Sequence, residues 1–212
     1  MGLLSVSHYS VVRGATGERG GDNVQTTARQ ATVLVVDDER DVAELYTAWL
    51  ETVHDVWSAY DGTEALDLVD ETVDVVFLDR QMPGMSGDEV LDTLDERGLD
   101  CRVVMVTAVD PDFDIIEMPF DDYLTKPVGR ADLLEMVESM RTRDSYDEQL
   151  QEYFAMASKK AALESEKNPV ELDATEEYHE VSQRVESLRE EADAAATEID
   201  DFESAFRDFP SE

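Results

Sequence analysis

Five polar residues each stand beside a short apolar run, and their side chains could together carry out phosphoryl chemistry. They are Asp37, Asp38, Asp79, Thr107 and Lys126. If the runs are parallel strands, the five residues meet at one edge of a sheet, where ligands of such sheets bind. Three carboxylates in one pocket repel each other and stay ionised together only if a cation compensates them.

Magnesium is the natural cation for this cluster, because Mg²⁺ prefers oxygen ligands and usually takes one or two carboxylates together with phosphate oxygens. Asp79 could then act as a nucleophile toward a phosphoryl group and form an aspartyl phosphate. Mg²⁺ and the Lys126 ammonium would neutralise the transferred charge, and the Thr107 hydroxyl could donate to a phosphoryl oxygen. An Asp-Asp pair means little among 52 acidic residues, but Lys126 is one of only four lysines.

Alternating strands and helices must position these residues. Apolar β-branched runs without polar alternation predict strands that are buried on both faces of a parallel sheet. Such runs are residues 33–36, 75–78 and 103–106, with weaker strands at 56–59 and 123–124. Helical spacing follows each strand, although only a short helix is expected over 112–118. Strand alternates with helix five times, which predicts an open α/β sheet with helices on both faces.

The composition is strongly acidic, with a net charge of -35 over 212 residues. Such a surface repels itself in dilute solution, but at 1 M salt the Debye length falls to about 3 Å. Acidic residues are spread along the chain instead of filling one tail, and lysine is scarce. The combination is similar to that of proteins from extreme halophiles.

Cysteine content and hydropathy argue against a disulfide-stabilised protein and against a membrane-spanning protein. The single Cys101 rules out a disulfide framework. No apolar run approaches the roughly 18 residues that a membrane helix needs, and the first ten residues lack the features of a secretion signal. We therefore expect a cytoplasmic protein without membrane contact.

Five motifs occur in an order that resembles the receiver domain of two-component response regulators. They are VLVVDDE at 33–39, FLD at 77–79, MPGMSG at 82–87, TA at 107–108 and YLTKP at 123–127. The resemblance covers residues 31–143. It implies a flavodoxin-like, doubly wound five-stranded parallel sheet in which Asp79 accepts a phosphoryl group from a sensor histidine kinase. It implies a phosphoacceptor that takes part in its own phosphorylation and dephosphorylation, not a turnover enzyme.

The same resemblance implies roles for the remaining site residues. It implies that Mg²⁺ is bound by Asp37, Asp38, Asp79 and the Gln81 backbone carbonyl. It implies that the phosphate is contacted by Thr107, the Ala108 backbone and Lys126. It also implies a switch pair of Thr107 and Tyr123, and a structural Pro127 after an often cis peptide bond. One departure concerns the fourth helix of the family. Pro111 and Pro119 bracket a short acidic stretch in its place, which leaves open whether the usual signalling face is preserved.

The last third of the chain has a helical pattern that predicts two helices joined near Pro169. Their apolar seam predicts an antiparallel hairpin or a dimer contact. The second helix carries this seam at Tyr178, Val181, Val185, Leu188, Ala192, Ala195, Ile199, Phe202 and Phe206. The segments 146–153 and 158–164 resemble the HalX domain that follows receivers in haloarchaeal regulators. We expect a flexible leader at 1–30, a receiver at 31–143 and an all-α output domain at 144–212.

Two output modes compete. The acidic helices favour binding to protein, either a second copy or a downstream partner, and a transcriptional regulator that binds DNA is the alternative. The segment has no basic stripe or recognition motif for DNA. Its one basic patch, Lys159, Lys160 and Lys167, is expected to decorate a helix surface.

Two enzyme-like alternatives are less favoured. A magnesium-dependent phosphatase with an aspartate nucleophile would carry Asp-x-Asp after the first strand, whereas the sequence here is Asp37-Asp38-Glu39. His179 could carry a phosphoryl group, but no ATP-binding motif follows it. A solvent-facing helical histidine of this kind is typical of a surface residue.

Overall fold

Five parallel strands form the sheet of the computed structural model, which describes residues 30–143 and 148–196. The strands are β1 (Thr32–Val36), β2 (Asp55–Ala59), β3 (Val75–Leu78), β4 (Arg102–Thr107) and β5 (Asp122–Thr125). Their order across the sheet is β2-β1-β3-β4-β5, and every neighbouring pair is parallel. The predicted flavodoxin-like, doubly wound sheet is therefore confirmed.

Seven α-helices and one 3₁₀ helix accompany the sheet in the described residues. They are α1 (Arg40–Leu50), α2 (Gly62–Leu68), α3 (Gly87–Arg97), the 3₁₀ helix (Phe113–Ile116), α4 (Arg130–Arg143), α5 (Glu148–Glu166), α6 (Pro169–Asp173) and α7 (Glu176–Ala196). The short helix expected over 112–118 is thus a single 3₁₀ turn, and Pro119 limits its extension because a proline disfavours helical geometry at the residue before it. No helix in the described ranges is both long and apolar enough to span a membrane.

Two hydrophobic layers cover the sheet. One face of the sheet packs against α1 and α4 and includes Val35, Phe77 and Leu133. The other face packs against α2 and α3 and includes Val36 and Leu78. Strands β1, β3 and β4 are almost entirely buried, as expected for apolar runs that have helices on both sides.

The C-terminal helices complete the second layer. The 3₁₀ helix is too short to cover β4 and β5, and α5 contacts both the 3₁₀ helix and β5. Leu163 of α5 is fully buried and Leu172 of α6 nearly so, in the same cluster as Ile115 and Phe120. Helix α5 therefore packs over the 3₁₀ helix and β5, where a full helix between β4 and β5 would otherwise lie.

Helices α5 and α7 form an antiparallel hairpin, which is one of the two arrangements that the seam predicted. Arg184 of α7 pairs with Glu152 near the start of α5, at 2.6 Å. Tyr178, near the start of α7, donates to Glu164 Oε1 near the end of α5, at 2.6 Å. The expected leader up to residue 29, Tyr146, and the seam positions Ile199, Phe202 and Phe206 lie outside the described residues.

One expectation for this hairpin is wrong. Lys159 does not decorate the helix surface but is only 5% exposed. Its neighbour Lys160 pairs with Glu164 at 2.6 Å, and Lys167 pairs with Asp112 at 3.0 Å. The three lysines therefore do not form one basic patch, because Lys159 points into the receiver.

His54 predicts a pH dependence of stability. The side chain is 5% exposed, and its Nδ1 has no hydrogen-bond partner among the described residues. Burial lowers the pKa of His54 below its usual value, so the folded chain binds fewer protons than the unfolded chain as pH falls through about 6.5. The contribution of neutral His54 to the stability of the fold should therefore be fully present above this pH and should decrease as the pH falls below it.

We expect His54→Gln to weaken that dependence. Urea unfolding at pH 7.5, 6.5 and 5.5 should show a smaller loss of stability in the variant than in the parent chain, since glutamine does not titrate. Acidic residues contribute equally to both chains, so the difference between the two slopes isolates His54. Parallel slopes would contradict the assignment.

Candidate functional site

The candidate site lies where the carboxyl ends of β1, β3, β4 and β5 meet. Asp37 follows β1 and Asp79 follows β3, and the register pairs the last residues of these strands, Val36 and Leu78. Thr107 ends β4, and its carbonyl accepts a hydrogen bond from the Lys126 amide at 2.8 Å. The topology thus brings together the polar residues that the strand pattern singled out.

Three carboxylates form the centre of the site. One oxygen each of Asp37, Asp38 and Asp79 lies within 4.8 Å of the others. Lys126 Nζ bridges two of them, at 2.7 Å from Asp37 Oδ2 and 2.9 Å from Asp79 Oδ2. One ammonium against three carboxylates leaves an excess of negative charge, so the donor set fits a hard divalent cation.

Burial and charge act against each other at these groups. Burial raises the pKa of Asp37 above its usual value, although the Lys126 ammonium beside it lowers that pKa. Burial also lowers the pKa of Lys126, but its hydrogen bonds to Asp37 and Asp79 outweigh burial and leave the pKa above its usual value. Lys126 therefore stays charged, and a second positive charge would further stabilise the carboxylates.

Backbone amides orient two of the carboxylates. The Glu39 amide donates to Asp37 Oδ1 at 3.0 Å, and the Gln81 amide donates to Asp79 Oδ1 at 3.3 Å. With Lys126 on Oδ2, both oxygens of the Asp79 carboxylate have a donor. The role predicted for the Gln81 carbonyl stays a prediction.

The start of α3 lies directly against the backbone of Asp79. The Gly87 amide donates to the Arg80 carbonyl at 2.9 Å, and a Cβ on Gly87 would stand 2.1 Å from the Asp79 carbonyl oxygen. A capping box between Ser86 and Glu89 fixes this first helical turn. Glycine is required at residue 87 because the helix and the loop after β3 approach so closely.

This close approach predicts that Gly87→Ala destabilises the chain by about 1–3 kcal/mol, the usual cost of overpacking. In an unconstrained helix the same change stabilises by about 0.5–1 kcal/mol, so even the sign of the effect is informative. Asp92→Ala on the exposed side of α3 is the matched control and should stay within about 0.5 kcal/mol. Urea unfolding measures both. A stabilised Gly87→Ala chain would show that the helix can move away from Asp79.

The backbone of Val109 connects Thr107 to Tyr123. The Val109 amide donates to Thr107 Oγ1 at 3.3 Å, and the Tyr123 hydroxyl donates to the Val109 carbonyl at 2.7 Å. Tyr123 is 8% exposed, and burial raises the pKa of its hydroxyl. The two residues of the predicted switch pair are thus linked through the backbone of one residue, Val109, in the hydrogen-bond network. Ala108, between Thr107 and Val109 in the chain, is exposed.

Sequence reasoning missed Arg80, which follows Asp79 directly. Its Nε donates to Asp88 Oδ1 of α3 at 3.0 Å, and its Nη2 pairs with Asp114 in the 3₁₀ helix. The side chain also interacts with the hydroxyl of Tyr123. The one available signal was a basic residue beside the central carboxylate of an acidic chain.

Beside the carboxylates, a polar cleft of about 750 Å³ extends toward Asp38, Arg80 and Val109. On the other side of the site, the peptide bond before Pro127 is cis, as the resemblance implied. His179 is exposed on α7, with Nε2 3.0 Å from the Asp173 carbonyl oxygen. That histidine therefore lies outside the cluster of Asp37, Asp79 and Lys126.

Solved structures share this fold. The signal receiver domain of a "putative Luxo repressor protein" from Vibrio parahaemolyticus is 26% identical with a TM-score of 0.50, over 54% of this chain and 92% of that chain. A BeF3-activated DrrB receiver domain is 26% identical with the same TM-score, over 53% and 98% of the two chains. Both similarities are confined to about half of the chain.

A curated relative from Haloferax volcanii, described as a "Putative transcriptional regulator", is 46% identical over 175 residues. The alignment takes in 82% of this chain but only 30% of the relative. Family models match the chain in two parts: the response regulator receiver domain at residues 33–138 and the HalX domain at residues 142–207. Together with the parallel sheet and the carboxylates at its edge, these matches show that the chain belongs to the response regulator receiver family and continues into a HalX domain.

Proposed function

We propose that the chain is a phosphorylation-operated response regulator of a two-component system. Asp79 accepts a phosphoryl group from a sensor histidine kinase, and the C-terminal helices transmit the result to a protein partner. The observation that carries the proposal is the buried carboxylate of Asp79, which pairs with the Lys126 ammonium and lies within 4.8 Å of oxygens of two further carboxylates. A purely structural ion pair has no need of three acids around one lysine.

The hydrogen bonds around Asp79 suit an attacking carboxylate. The Gln81 amide and Lys126 Nζ hold its two oxygens in place, which supplies the orientation that phosphoryl transfer requires. One carboxylate oxygen forms a bond to phosphorus while the bond from phosphorus to the donor nitrogen breaks. Thr107 and the Ala108 amide then donate to oxygens of the bound phosphoryl group, and Lys126 balances its charge.

Asp37, Asp38 and Asp79 are the residues that would hold Mg²⁺, together with the Gln81 carbonyl. When bound, the ion neutralises charge on the carboxylates and on the phosphoryl oxygens. The fit rests on the three oxygens within 4.8 Å and on the charge that Lys126 alone leaves unbalanced.

The docked hairpin favours a protein partner over DNA. Lys159 is buried, and both Lys160 and Lys167 are paired with carboxylates. None of these three lysines is therefore available to neutralise DNA phosphates, and the surrounding helices are acidic. DNA binding stays the second candidate because the Haloferax relative is described as a transcriptional regulator. A second copy of the chain or a downstream protein would bind the exposed side of the hairpin.

A direct test incubates the full chain with a radiolabelled small acyl phosphate in concentrated KCl, with and without Mg²⁺. We expect label that requires Mg²⁺, that hydroxylamine removes as it does other acyl phosphates, and that maps to the peptide containing Asp79. Sustained turnover of an external phosphate ester would instead favour the phosphatase alternative. Absence of label under all conditions would contradict the proposed function.

A further inference from the structure

Tyr46 is a buried tyrosine whose hydroxyl has no part in the chemistry described above. It lies on the buried face of α1, is 5% exposed, and belongs to the same hydrophobic layer as Val128. Its ring is tilted against that of Trp49, with 5.7 Å between centroids. An aliphatic side chain could pack here without a polar atom, whereas a buried hydroxyl needs a hydrogen-bond partner.

The hydroxyl has this partner directly after the lysine of the site. The Val128 amide donates to it, two residues beyond Lys126. Burial raises the pKa of the Tyr46 hydroxyl, while the Lys126 ammonium lowers that pKa and the Asp37 carboxylate raises it. The hydroxyl therefore lies within electrostatic reach of the groups that form the site, although its ring is part of a hydrophobic layer.

The position of the Lys126 ammonium depends on its backbone, because the side chain is a flexible four-carbon stem. Its Nζ bridges two carboxylates of the site, at 2.7 and 2.9 Å. On one side of the residue, the Lys126 amide donates to the Thr107 carbonyl at 2.8 Å. On the other side the chain leaves β5 toward α4, and there Val128 is fixed to Tyr46.

Helix α1 connects the two halves of the site through Tyr46. The helix begins directly after the carboxylate segment 37–39 and carries Tyr46 in its second turn. The Gly129 amide donates to Asp132 Oδ2 at 2.9 Å, in the first turn of α4. That contact moves with α4, whereas the hydrogen bond at Val128 fixes the segment relative to α1 and thus relative to the carboxylates.

We propose that Tyr46 is a positioning residue for Lys126: its hydroxyl holds the segment after β5, so that the ammonium keeps its place between two carboxylates. This inference rests on the proposed function, in which Lys126 balances the charge of the phosphoryl group on Asp79. Tyr46 itself does not touch that group. When the ammonium turns from a carboxylate to a phosphoryl oxygen, a fixed backbone at Val128 limits how far it moves.

Tyr46→Phe removes the hydroxyl and keeps the ring, and two affinities of the full chain in concentrated KCl report the effect. Isothermal titration calorimetry measures Mg²⁺ binding, and ¹⁹F NMR measures binding of beryllofluoride, a phosphoryl mimic, at saturating Mg²⁺. We expect the less restrained ammonium to bind the mimic about three- to tenfold more weakly, the range for one lost hydrogen bond. It should also oppose a divalent cation less, so Mg²⁺ should bind about two- to threefold more tightly.

These opposite signs separate positioning from damage to the fold. A distorted site would bind both Mg²⁺ and beryllofluoride more weakly, and that result would overturn the role of Tyr46, as would two unchanged affinities. Tyr60→Phe is the matched control, since it removes the hydroxyl of a half-buried tyrosine packed against the same layer, 3.5 Å from Ser58 Oγ. It should keep both affinities within about twofold.

A Lys126→Met background tests whether Tyr46 acts through the ammonium. This variant should itself bind Mg²⁺ more tightly and beryllofluoride more weakly than the parent chain. Adding Tyr46→Phe to it should then change each affinity by less than about twofold, because the group that the hydroxyl positions is gone. A full additional effect would mean that Tyr46 acts on another group and would overturn the inference.

Failure of this inference is distinguishable from failure of the proposed function. A parent chain that binds beryllofluoride and takes up label, but whose affinities do not respond to Tyr46→Phe, would contradict only the role of Tyr46. A parent chain that neither binds beryllofluoride nor takes up label would contradict the proposed function as well.

Discussion

The Asp79→Asn variant is expected to take up no Mg²⁺-dependent label from a small acyl phosphate, a loss of at least about a thousandfold. Loss of a covalent nucleophile typically has effects of this size or larger. The asparagine keeps the shape of the side chain, so its carbonyl oxygen can still accept from Lys126 Nζ or from the Gln81 amide. Filter-bound radioactivity over a time course, at fixed Mg²⁺ and KCl, measures the loss.

Stability separates this chemical effect from unfolding. Burial is the main cause that raises the pKa of Asp37, and charge repulsion from Asp79 adds to it. The neutral amide therefore relieves repulsion in the cluster while Lys126 keeps its pairing with Asp37. The urea midpoint of Asp79→Asn should therefore equal or exceed that of the parent chain. Asp110→Asn, at an exposed carboxylate that lines the nearby cleft, is the matched control and should keep its label within about twofold. Label that persists on Asp79→Asn would place the acceptor on another carboxylate.

The sheet and the site cluster could be predicted because their signals are local. A strand that is covered on both faces must be apolar throughout, as at residues 75–78, and the next polar residue then lies at the edge of the sheet. The order of the motifs along the chain then predicted that Asp37, Asp79 and Lys126 lie together at that edge. No knowledge of side-chain packing was needed to bring these three together.

Contacts between distant segments could not be predicted in the same way. The spacing of apolar residues shows that a helix has a buried face but not what covers that face, so no pattern indicated that Leu163 packs into the receiver core. Lys159 and Lys160 are adjacent in sequence, yet one is buried against Phe120 and the other is paired on the hairpin. Their difference depends on where the hairpin docks, and the sequence carries no local signal for that.

The short 3₁₀ helix between β4 and β5 affects how the chain folds, because it leaves part of the core for the hairpin to cover. Between Pro111 and Pro119 only one 3₁₀ turn forms, so Ile115 and Phe120 would be left partly uncovered without the hairpin. Leu163 and Leu172 bury them instead. We therefore expect the hairpin and the receiver to unfold in one transition, unlike two domains that are joined by a flexible linker.

Leu163→Ala tests this cooperativity and should lower the free energy of unfolding by about 3 kcal/mol, the usual cost of truncating a fully buried leucine. Both tryptophans, Trp49 and Trp57, lie in the receiver, so their fluorescence reports receiver unfolding alone. If the two parts are one cooperative unit, this hairpin substitution lowers the urea midpoint of tryptophan fluorescence by about 1–2 M, together with the midpoint of helical circular dichroism.

Val170→Ala is the matched control for this substitution, because Val170 lies on α6 of the same segment but is 78% exposed. It should leave both midpoints within the range of surface substitutions, about 0.5 kcal/mol. A Leu163→Ala chain that loses helical signal at low urea while its tryptophans keep the parent midpoint would mean that the hairpin unfolds alone. The receiver would then be stable without cover over Ile115 and Phe120, and docking of α5 could not be required for its fold.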